Sequence, residues 1–369
     1  MWSNQAAWLN TKSSRRMNIE PAPYTKPYEG EMVIKNGAVA INPIDGFKQL
    51  VGDRLFSWIK YPFIMGGDVA GEVIEVGKTV TRFKVGDRVM GHAVGMEKTI
   101  NKSSQSAFQQ YTVIRVDMAS QIPRAMSYES ACVLPLCLST AACGLFQESY
   151  LALPYPSLSP KLNGKTLLVW GGSTTVGSNA IQLAAAAGCE VITTASPKNF
   201  DYVRRLGAVT VFDYRSTTVV KDVIEAFRNR ECAGAFAVGN GSIKACIEIL
   251  AASRGSKLIA QISVELPDRM PTSTLGWMLT GISMGWFSMS VSLKSKVKGV
   301  DIRFVSGGDI VATELSHAIY EDYMPAALAE GKYIAAPEPL VVGKGLEYVQ
   351  EGIDINLRGV SAKKVVVSL

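Results

Sequence analysis

The hydrophobic pattern of the chain changes period twice. In the first third, short runs alternate apolar and polar residues with a period near two. "EMVIKNGAVAIN" (Glu31 to Asn42), "VAGEVIEVG" (Val69 to Gly77), "GDRVMG" (Gly86 to Gly91) and "FQQYTVIRVDMASQIP" (Phe108 to Pro123) are of this kind. Short half-buried strands separated by glycine predict a small barrel or sandwich-like module. From Lys165 onward, fully apolar runs alternate with helical spacing. "KTLLVW", "EVITTAS", "VTVFDY", "GAFAVG" and "SKLIAQIS" read as strands, and Val176 to Ala187, "NFDYVRRLGA", "VVKDVIEAFRNR" and "SIKACIEILAA" as helices. Five strands alternating with helices predict a parallel sheet covered on both faces. The proline-bearing stretch Tyr150 to Gly164 reads as a loop just before that region. Further on, "DIVATELSHAIYEDYMPAALAEG" is helical with a break at Pro325, "GLEYVQEGIDINL" is a helix and "KKVVVSL" a last strand. This tail is too small for a core of its own, so it should pack back on an earlier part.

Composition narrows the class. At 369 residues the chain can hold two domains. A charged fraction of 19% beside 47% hydrophobic residues fits an ordinary folded enzyme. The net charge of +6 is spread thinly: Arg15-Arg16, Arg204-Arg205 and Lys363-Lys364 are isolated pairs that read as solvated surface charge. Nucleic-acid binding, which needs clustered cations, is therefore not expected. The start "MWSNQAAWLN" lacks the pattern of a secretory signal, which predicts a cytoplasmic protein. The uncharged stretch Pro271 to Leu293 is long enough to cross a bilayer, but its eight Ser/Thr and three Gly make a poor hydrocarbon helix. A buried interface or substrate-pocket segment is expected there, and no membrane partner. Six cysteines without a CxxC pair, and two histidines, offer no spacing for a tetrahedral zinc site. No metal is expected.

The chemistry starts at "LLVWGGSTTVGSNAIQLAAAAG" (Leu167 to Gly188), where a strand, a glycine turn and a helix follow one another. N–H groups at such a helix start, with the helix dipole behind them, suit a diphosphate. Gly171 and Gly172 allow the turn and Gly177 lets helix and strand approach. Thr174 stands where a tighter loop would carry glycine, so Ser173, Thr174 and Thr175 are expected to add hydroxyl donors. An NAD site usually ends its second strand with Asp or Glu for the ribose 2′-hydroxyl. Here "TTASPKN" ends in Ser196, Pro197, Lys198 and Asn199, without a carboxylate. That set should accept a 2′-phosphate, which predicts NADPH.

Four stretches, "NGAVAINPIDGF", "GGDVAGEVIEVGKTVTRFKVGDRV", "LPLCLSTAACGLF" and the nucleotide-binding half, resemble the medium-chain dehydrogenase/reductase superfamily across nearly the whole chain. "GGSTTVG", "ASPKNFDYVRRLGA" and "VFDYR" look most like its fungal zinc-free reductases of secondary metabolism, including trans-acting enoyl reductases of polyketide synthases. The resemblance implies an α/β protein with a GroES-like β-barrel catalytic domain and a Rossmann doubly wound parallel-sheet domain. Expected boundaries are 1–127 for the first part of the catalytic domain, 128–310 for the NADPH-binding domain and 311–369 for the segment that completes the catalytic domain. It also implies cofactor positions. Asn42, Pro43, Ile44 and Asp45 match the "NPxD" stretch beside the nicotinamide, and Ser173, Thr174, Thr175 and Val176 the diphosphate loop. Ser196, Pro197, Lys198, Asn199 and Tyr214 match the adenosine-phosphate pocket, Gln261 and Ile262 a strand end, and Ser361 and Ala362 a C-terminal contact. Leu136, Cys137, Leu138, Ser139, Thr140, Ala141, Ala142 and Cys143 match the substrate-side segment, with Thr140 facing the reacting centre. Trp277, Met278 and Trp286 are expected in the substrate cleft.

The chain also departs from the family. Zinc alcohol dehydrogenases carry Cys and His-Glu where this chain has Asn42 and Gly67-Asp68, and they carry a four-cysteine lobe that is missing here. Phe47 stands where quinone reductases carry Tyr and some polyketide enoyl reductases Lys. It can do no acid–base work, which leaves Lys48 and Tyr61 as nearby candidates. The expected activity is zinc-independent, NADPH-dependent hydride transfer to the C=C of an α,β-unsaturated carbonyl. The substrate is a small enone or polyketide-type molecule, free or carrier-bound on a polyketide synthase, and the protein a monomer or homodimer. The alternatives are a quinone oxidoreductase and an NADPH-binding structural or partner protein without turnover.

Overall fold

The structure, a computed structural model, describes residues 3–12, 14–54, 56–263, 271 and 273–369. It divides into two compact units, one made of Met1–Ser139 with Gly308–Leu369, the other of Thr140–Gly307. In chain order the first unit contributes β1 (Glu31–Ala40), α1 (Pro43–Val51), β2 (Asp68–Val76) and β3 (Arg88–His92). α2 (Pro135–Phe146) begins there and continues into the second unit. The second unit holds β4 (Lys165–Trp170), α3 (Thr175–Ala186), β5 (Glu190–Ala195), β6 (Thr210–Asp213) and β7 (Glu231–Ala237). It continues with α4 (Ser242–Ala252), β8 (Leu258–Gln261), α5 (Thr274–Lys298) and β9 (Asp301–Phe304). The chain then returns to the first unit with β10 (Glu338–Lys344), α6 (Val349–Arg358) and β11 (Lys363–Ser368).

In the first unit the main sheet runs β10-β11-β1-β2-β3, followed by the strand Ala119–Gln121. β1 is buried at eight of its ten positions, so both of its faces are covered, and its pairing with β2 shifts register between Asn36 and Ala38. The glycines of these strands let backbones close in: a Cβ on Gly71 would lie 2.1 Å from the carbonyl oxygen of Lys35. β11, from the end of the chain, lies antiparallel to β1 with Val366 opposite Ala40. The C-terminal residues thus join the sheet built by the N-terminal third. The sequence reading places boundaries after residues 127 and 310, whereas the two units divide after Ser139, within α2, and after Gly307.

The second unit is a parallel sheet in the order β6-β5-β4-β7-β8-β9. β4 is buried at five of six positions, as its unbroken apolar run implies. The order reverses direction between β4 and β7. At such a switch point the loops at the strands' C-terminal ends part and leave a crevice. Each helix expected in this unit is present, as is the strand β9, which the sequence pattern did not single out.

Two stretches differ from expectation. The helical tail contains a π-helical turn, His317–Tyr323, immediately before Pro325, so the break is a widened turn rather than a sharp kink. The uncharged stretch forms most of α5, but it is only partly covered. Trp277, Met284, Phe287, Val291 and Ser295 recur at helical spacing on the covered side. Met278, Ile282, Trp286, Met289 and Leu293 fall on the other side and are exposed. A single stripe of contact explains why burial of the whole segment does not follow from its apolar composition. One described stretch, Tyr128–Phe146, is apolar and long enough for a membrane span, and 83% of its apolar window is buried.

Gly71→Ala should lower stability by about 1–3 kcal/mol, because the added methyl meets backbone of the neighbouring strand rather than a side chain that can turn away. Chemical denaturation of the variant measures this, and an unchanged midpoint contradicts it.

Candidate functional site

In the second unit the turn after β4 is built as an anion cradle. Gly171 adopts a φ of +82°, and a Cβ there would sit 2.6 Å from the Val238 carbonyl oxygen. Thr174 is the N-cap of α3: its hydroxyl oxygen accepts from the Gly177 N–H at 3.0 Å and donates to the Gly171 carbonyl at 2.7 Å. This corrects the expected role of Thr174 as a free donor. Its hydroxyl holds the loop closed, and Ser173, Thr175 and Val176 remain half-buried beside it. The N–H groups of the first turn of α3 lack intrahelical acceptors, as at any helix start.

Neighbouring strands β5 and β6 run parallel with Ala195 opposite Asp213. Ser196 and Pro197 after one strand therefore end beside Tyr214 after the other. Ser196 is half-buried, Pro197, Lys198 and Tyr214 are exposed, and Asn199 is buried. The structure adds Arg215, which sequence reasoning passed over. Its guanidinium stacks over the Tyr214 ring at 5.5 Å and pairs with Asp213 at 3.3 Å. The signal was a cation next to an aromatic at a strand end. Gln261, at the end of β8, donates to the Ser263 carbonyl at 2.9 Å. It lines a groove of about 380 Å³ with Phe287, Val291, Lys296 and Asp301. Ile262 N–H is held by the Ala237 carbonyl. Thr140 is buried, and a Cβ on Gly307 would lie 2.4 Å from its hydroxyl oxygen, so that glycine makes room for it. Ala141, Ala142 and Cys143 are buried core of this unit. Trp277 is half-buried on α5, while Met278 and Trp286 are exposed on its other side.

In the first unit a buried polar cluster surrounds Asp68, which has no solvent exposure. Its Oδ1 accepts from the Leu136 N–H at 2.6 Å, at the start of α2. Its Oδ2 accepts from Asn42 Nδ2 at 2.8 Å and pairs with Lys364 Nζ at 2.9 Å. Lys364 also donates to Asn42 Oδ1 at 2.5 Å, and Cys137 Sγ lies 3.7 Å from the same ammonium. Asn42 N–H donates to Asp45 Oδ2 at 2.8 Å, and Pro43 opens α1. Pro43 and Ile44 are exposed, and so is Ser361; Ala362 is half-buried with a φ of +49°.

Two further chains flank the cluster. Lys48 donates to Tyr61 at 2.6 Å, to Asp53 at 3.1 Å and to the Gly52 carbonyl at 3.1 Å. Tyr61 in turn donates to Asp53 at 2.6 Å. All three ammonium protons of Lys48 are committed, and burial together with Asp53 pushes the Tyr61 phenol well above its usual range. The pair expected to supply a proton is thus brought together, but as a brace of the α1 end. On the other flank Tyr320 donates to the Pro135 carbonyl at 2.8 Å. Ser139 must then donate to Tyr320 at 2.7 Å, and His92 Nδ1–H to Ser139 at 2.9 Å. His92 lies directly opposite Asp68 in the β2–β3 register, and Leu138 is buried. Sequence reasoning missed Lys364, His92 and Tyr320. A strand alternation that buries one of two adjacent lysines was the available signal for the first.

Comparison with known proteins decides the family. Residues 28–124 match the alcohol dehydrogenase GroES-like domain, and residues 175–284 the zinc-binding dehydrogenase domain. The dehydrogenase pigH of Monascus ruber is 47% identical over 370 residues, covering 100% of both chains. The chain belongs to the medium-chain dehydrogenase/reductase superfamily. The trans-enoyl reductase himH of Aspergillus japonicus is 40% identical over 368 residues, covering 99% of this chain and 97% of its own. Among solved structures the CurK enoyl reductase shares the fold, with a TM-score of 0.72 at 19% identity and 99% coverage of both chains.

As a medium-chain dehydrogenase/reductase the chain is an oxidoreductase with a GroES-like and a Rossmann domain, and its dinucleotide cradle fits a nicotinamide cofactor. The zinc that the domain description implies does not fit the residues present. The space above Gly67 is filled by Leu136, whose Cδ1 would lie 2.8 Å from a Cβ there. Both oxygens of Asp68 are engaged, and the ammonium of Lys364 already holds the positive charge. Among the described residues no group of three or more His, Cys, Asp or Glu is placed to hold a metal.

Burial pushes the Asp45 carboxyl up from 3.8 to about 7. Burial likewise depresses His92 from 6.5 to about 4. The native chain therefore keeps a proton on Asp45 that the unfolded chain releases. The stability from Asp45 is full below pH 3.8 and is lost as pH rises through about 7. His92 works in the opposite sense: its contribution is present above 6.5 and is lost as pH falls through about 4. Asp45→Asn keeps an acceptor for the Asn42 N–H and removes the first effect. The melting temperature of the variant relative to the natural chain should rise between pH 5 and pH 8, read by scanning calorimetry. A difference independent of pH contradicts a raised Asp45.

Proposed function

We propose that this medium-chain reductase transfers a hydride from NADPH to the C=C of an α,β-unsaturated carbonyl, without zinc, in fungal-type secondary metabolism. The observation that carries the metal-free part is the Asp68–Lys364–Asn42 cluster, which closes the place a metal would need. The enoyl part draws on the trans-enoyl reductase himH, similar along its whole length. The acceptor is then a small enone or a polyketide-type intermediate, free or carried on a synthase.

Bound NADPH supplies the hydride. The α3 N-terminus, with Ser173, Thr175 and Val176, is assigned to the diphosphate. Ser196, Lys198 and Asn199 are assigned to the 2′-phosphate, with Tyr214 and Arg215 bordering the adenosine. The absence of a carboxylate after β5 supports the phosphate, and Asp213 is neutralised by Arg215. In the first unit the turn of Asn42, Pro43, Ile44 and Asp45, with Ser361 and Ala362, is assigned to the nicotinamide end; within the second unit that role is assigned to Gln261 and Ile262. Leu136, Cys137, Leu138, Ser139 and Thr140 are assigned to the substrate side, where the Thr140 hydroxyl can steady a developing enolate oxygen. Water can protonate the α-carbon, so the commitment of Lys48 and Tyr61 to Asp53 leaves the reaction feasible.

The activity test is a panel of enones and quinones with NADPH, followed by loss of reduced-nicotinamide absorbance and by product analysis. Enone reduction is expected. Turnover of quinones alone, or NADPH binding without turnover, replaces this reading with one of its alternatives. Purified protein should carry far less than one zinc per chain, and chelators should leave its rate unchanged; stoichiometric zinc by elemental analysis overturns the metal-free assignment. A charge-assisted hydrogen bond contributes about 1.5–3 kcal/mol, so Lys198→Ala should weaken NADPH about ten- to a hundredfold and NADH little. Ser196→Asp should shift preference toward NADH by repelling the phosphate. Fluorescence titration with both cofactors measures this, and equal affinity of the natural chain for NADH and NADPH contradicts the assigned pocket.

A further inference from the structure

Lys364 is fully enclosed, yet its neighbour Lys363 points outward to Glu338. The β1–β11 register explains the split. Val366 lies opposite Ala40 and Ile41 N–H donates to the Val365 carbonyl, so the next inward position on β11 faces Asn42. Burying an ammonium is costly unless it is paired and hydrogen-bonded. Lys364 has both, and its partners have a common feature: each also touches the Asn42 carboxamide. Oδ1 of Asn42 faces the ammonium and Nδ2 faces the Asp68 carboxylate. Turning the amide over would set its N–H₂ against Nζ and its oxygen against Oδ2, which is repulsive at both ends. The carboxamide therefore has one orientation. The Asn42 backbone N–H is held separately by Asp45, at the N-terminus of α1.

We propose that Lys364 is a positioning residue for hydride transfer: by polarising the Asn42 carboxamide between its ammonium and Asp68, it fixes the turn that borders the nicotinamide. The inference rests on the cofactor reading above for its kinetic consequence, but not for the locked amide itself. Lys364 touches no reacting atom. It acts from β11 through Asn42.

The test uses Lys364→Arg, Lys364→Met and the charge-neutral double variant Lys364→Met with Asp68→Asn, in the full chain. The double variant leaves no lone buried charge, so it keeps the test open where the single neutral variant fails to fold. In 15N-asparagine-labelled protein the Nδ2 protons of Asn42, assigned with Asn42→Asp, should exchange slowly in the natural chain and in Lys364→Arg. They should exchange fast in the double variant. This readout needs neither cofactor nor acceptor, so its failure is separate from failure of the hydride-transfer reading. With NADPH and a reducible enone, the folded neutral variants should lose about a hundredfold in kcat, as expected for a misplaced reacting group. Their NADPH dissociation constant should stay within about threefold of the natural value, under 1 kcal/mol. Lys364→Arg should recover most of the rate. Natural kcat in a folded neutral variant, or slow Asn42 exchange without Lys364, overturns the proposal; so does a loss of NADPH affinity equal to the loss of kcat.

Discussion

One buried carboxylate organises the first unit. Asp68 accepts from the start of α2, from Asn42 ahead of α1 and from Lys364 on β11. Three segments far apart in sequence thus converge on two oxygens without solvent. A carboxylate in that position is stable only while all its partners remain, since a single missing one leaves charge buried without compensation. The N-terminus of α2 contributes as well, because the aligned peptide dipoles of a twelve-residue helix favour an anion at that end. The geometry of the Asn42–Asp45 turn and the direction in which α2 sets out are consequences of the same interaction.

The same cluster shapes the packing around Asp68. Leu136 fills the volume above Gly67. The positive charge beside Asp68 comes from the covalently held ammonium of Lys364. An ammonium has three donors but no Lewis-acid site, and its field is largely cancelled by Asp68. Under the proposed reading, chemistry in such a pocket leans on orientation and hydrogen bonding.

Much of this was legible in the sequence, and the limits have physical causes. The parallel sheet showed itself because fully buried strands are unbroken apolar runs, and β4 through β8 stand where the pattern put them. The cradle was legible because Gly171 and Gly177 stand at fixed offsets from a strand and a helix. What escaped was non-local. Lys364 looked like half of a solvated basic pair, and only its register against β1 turns it inward. His92 and Tyr320 are 228 positions apart in numbering by simple difference and meet through Ser139. Composition also misled at α5, where an uncharged stretch suggested burial although only one side of the helix has a neighbour.

The seating of β11 has a consequence for how the protein is made. Chains emerge from the ribosome N-terminus first, and units fold as their residues become available. The second unit is contiguous from Thr140 to Gly307, so all its strands are present well before synthesis ends. The first unit must wait: Ala38 to Ala40, already paired with Asp68 to Ala70, find their second partners only when Val366 to Ser368 have appeared. During that interval the Ala38–Ala40 end of β1 keeps one open edge, although Glu31–Lys35 already pair with Tyr111–Arg115, and Asp68 lacks its cation. The sheet of the first unit is therefore completed after that of the second, although most of its strands are made earlier.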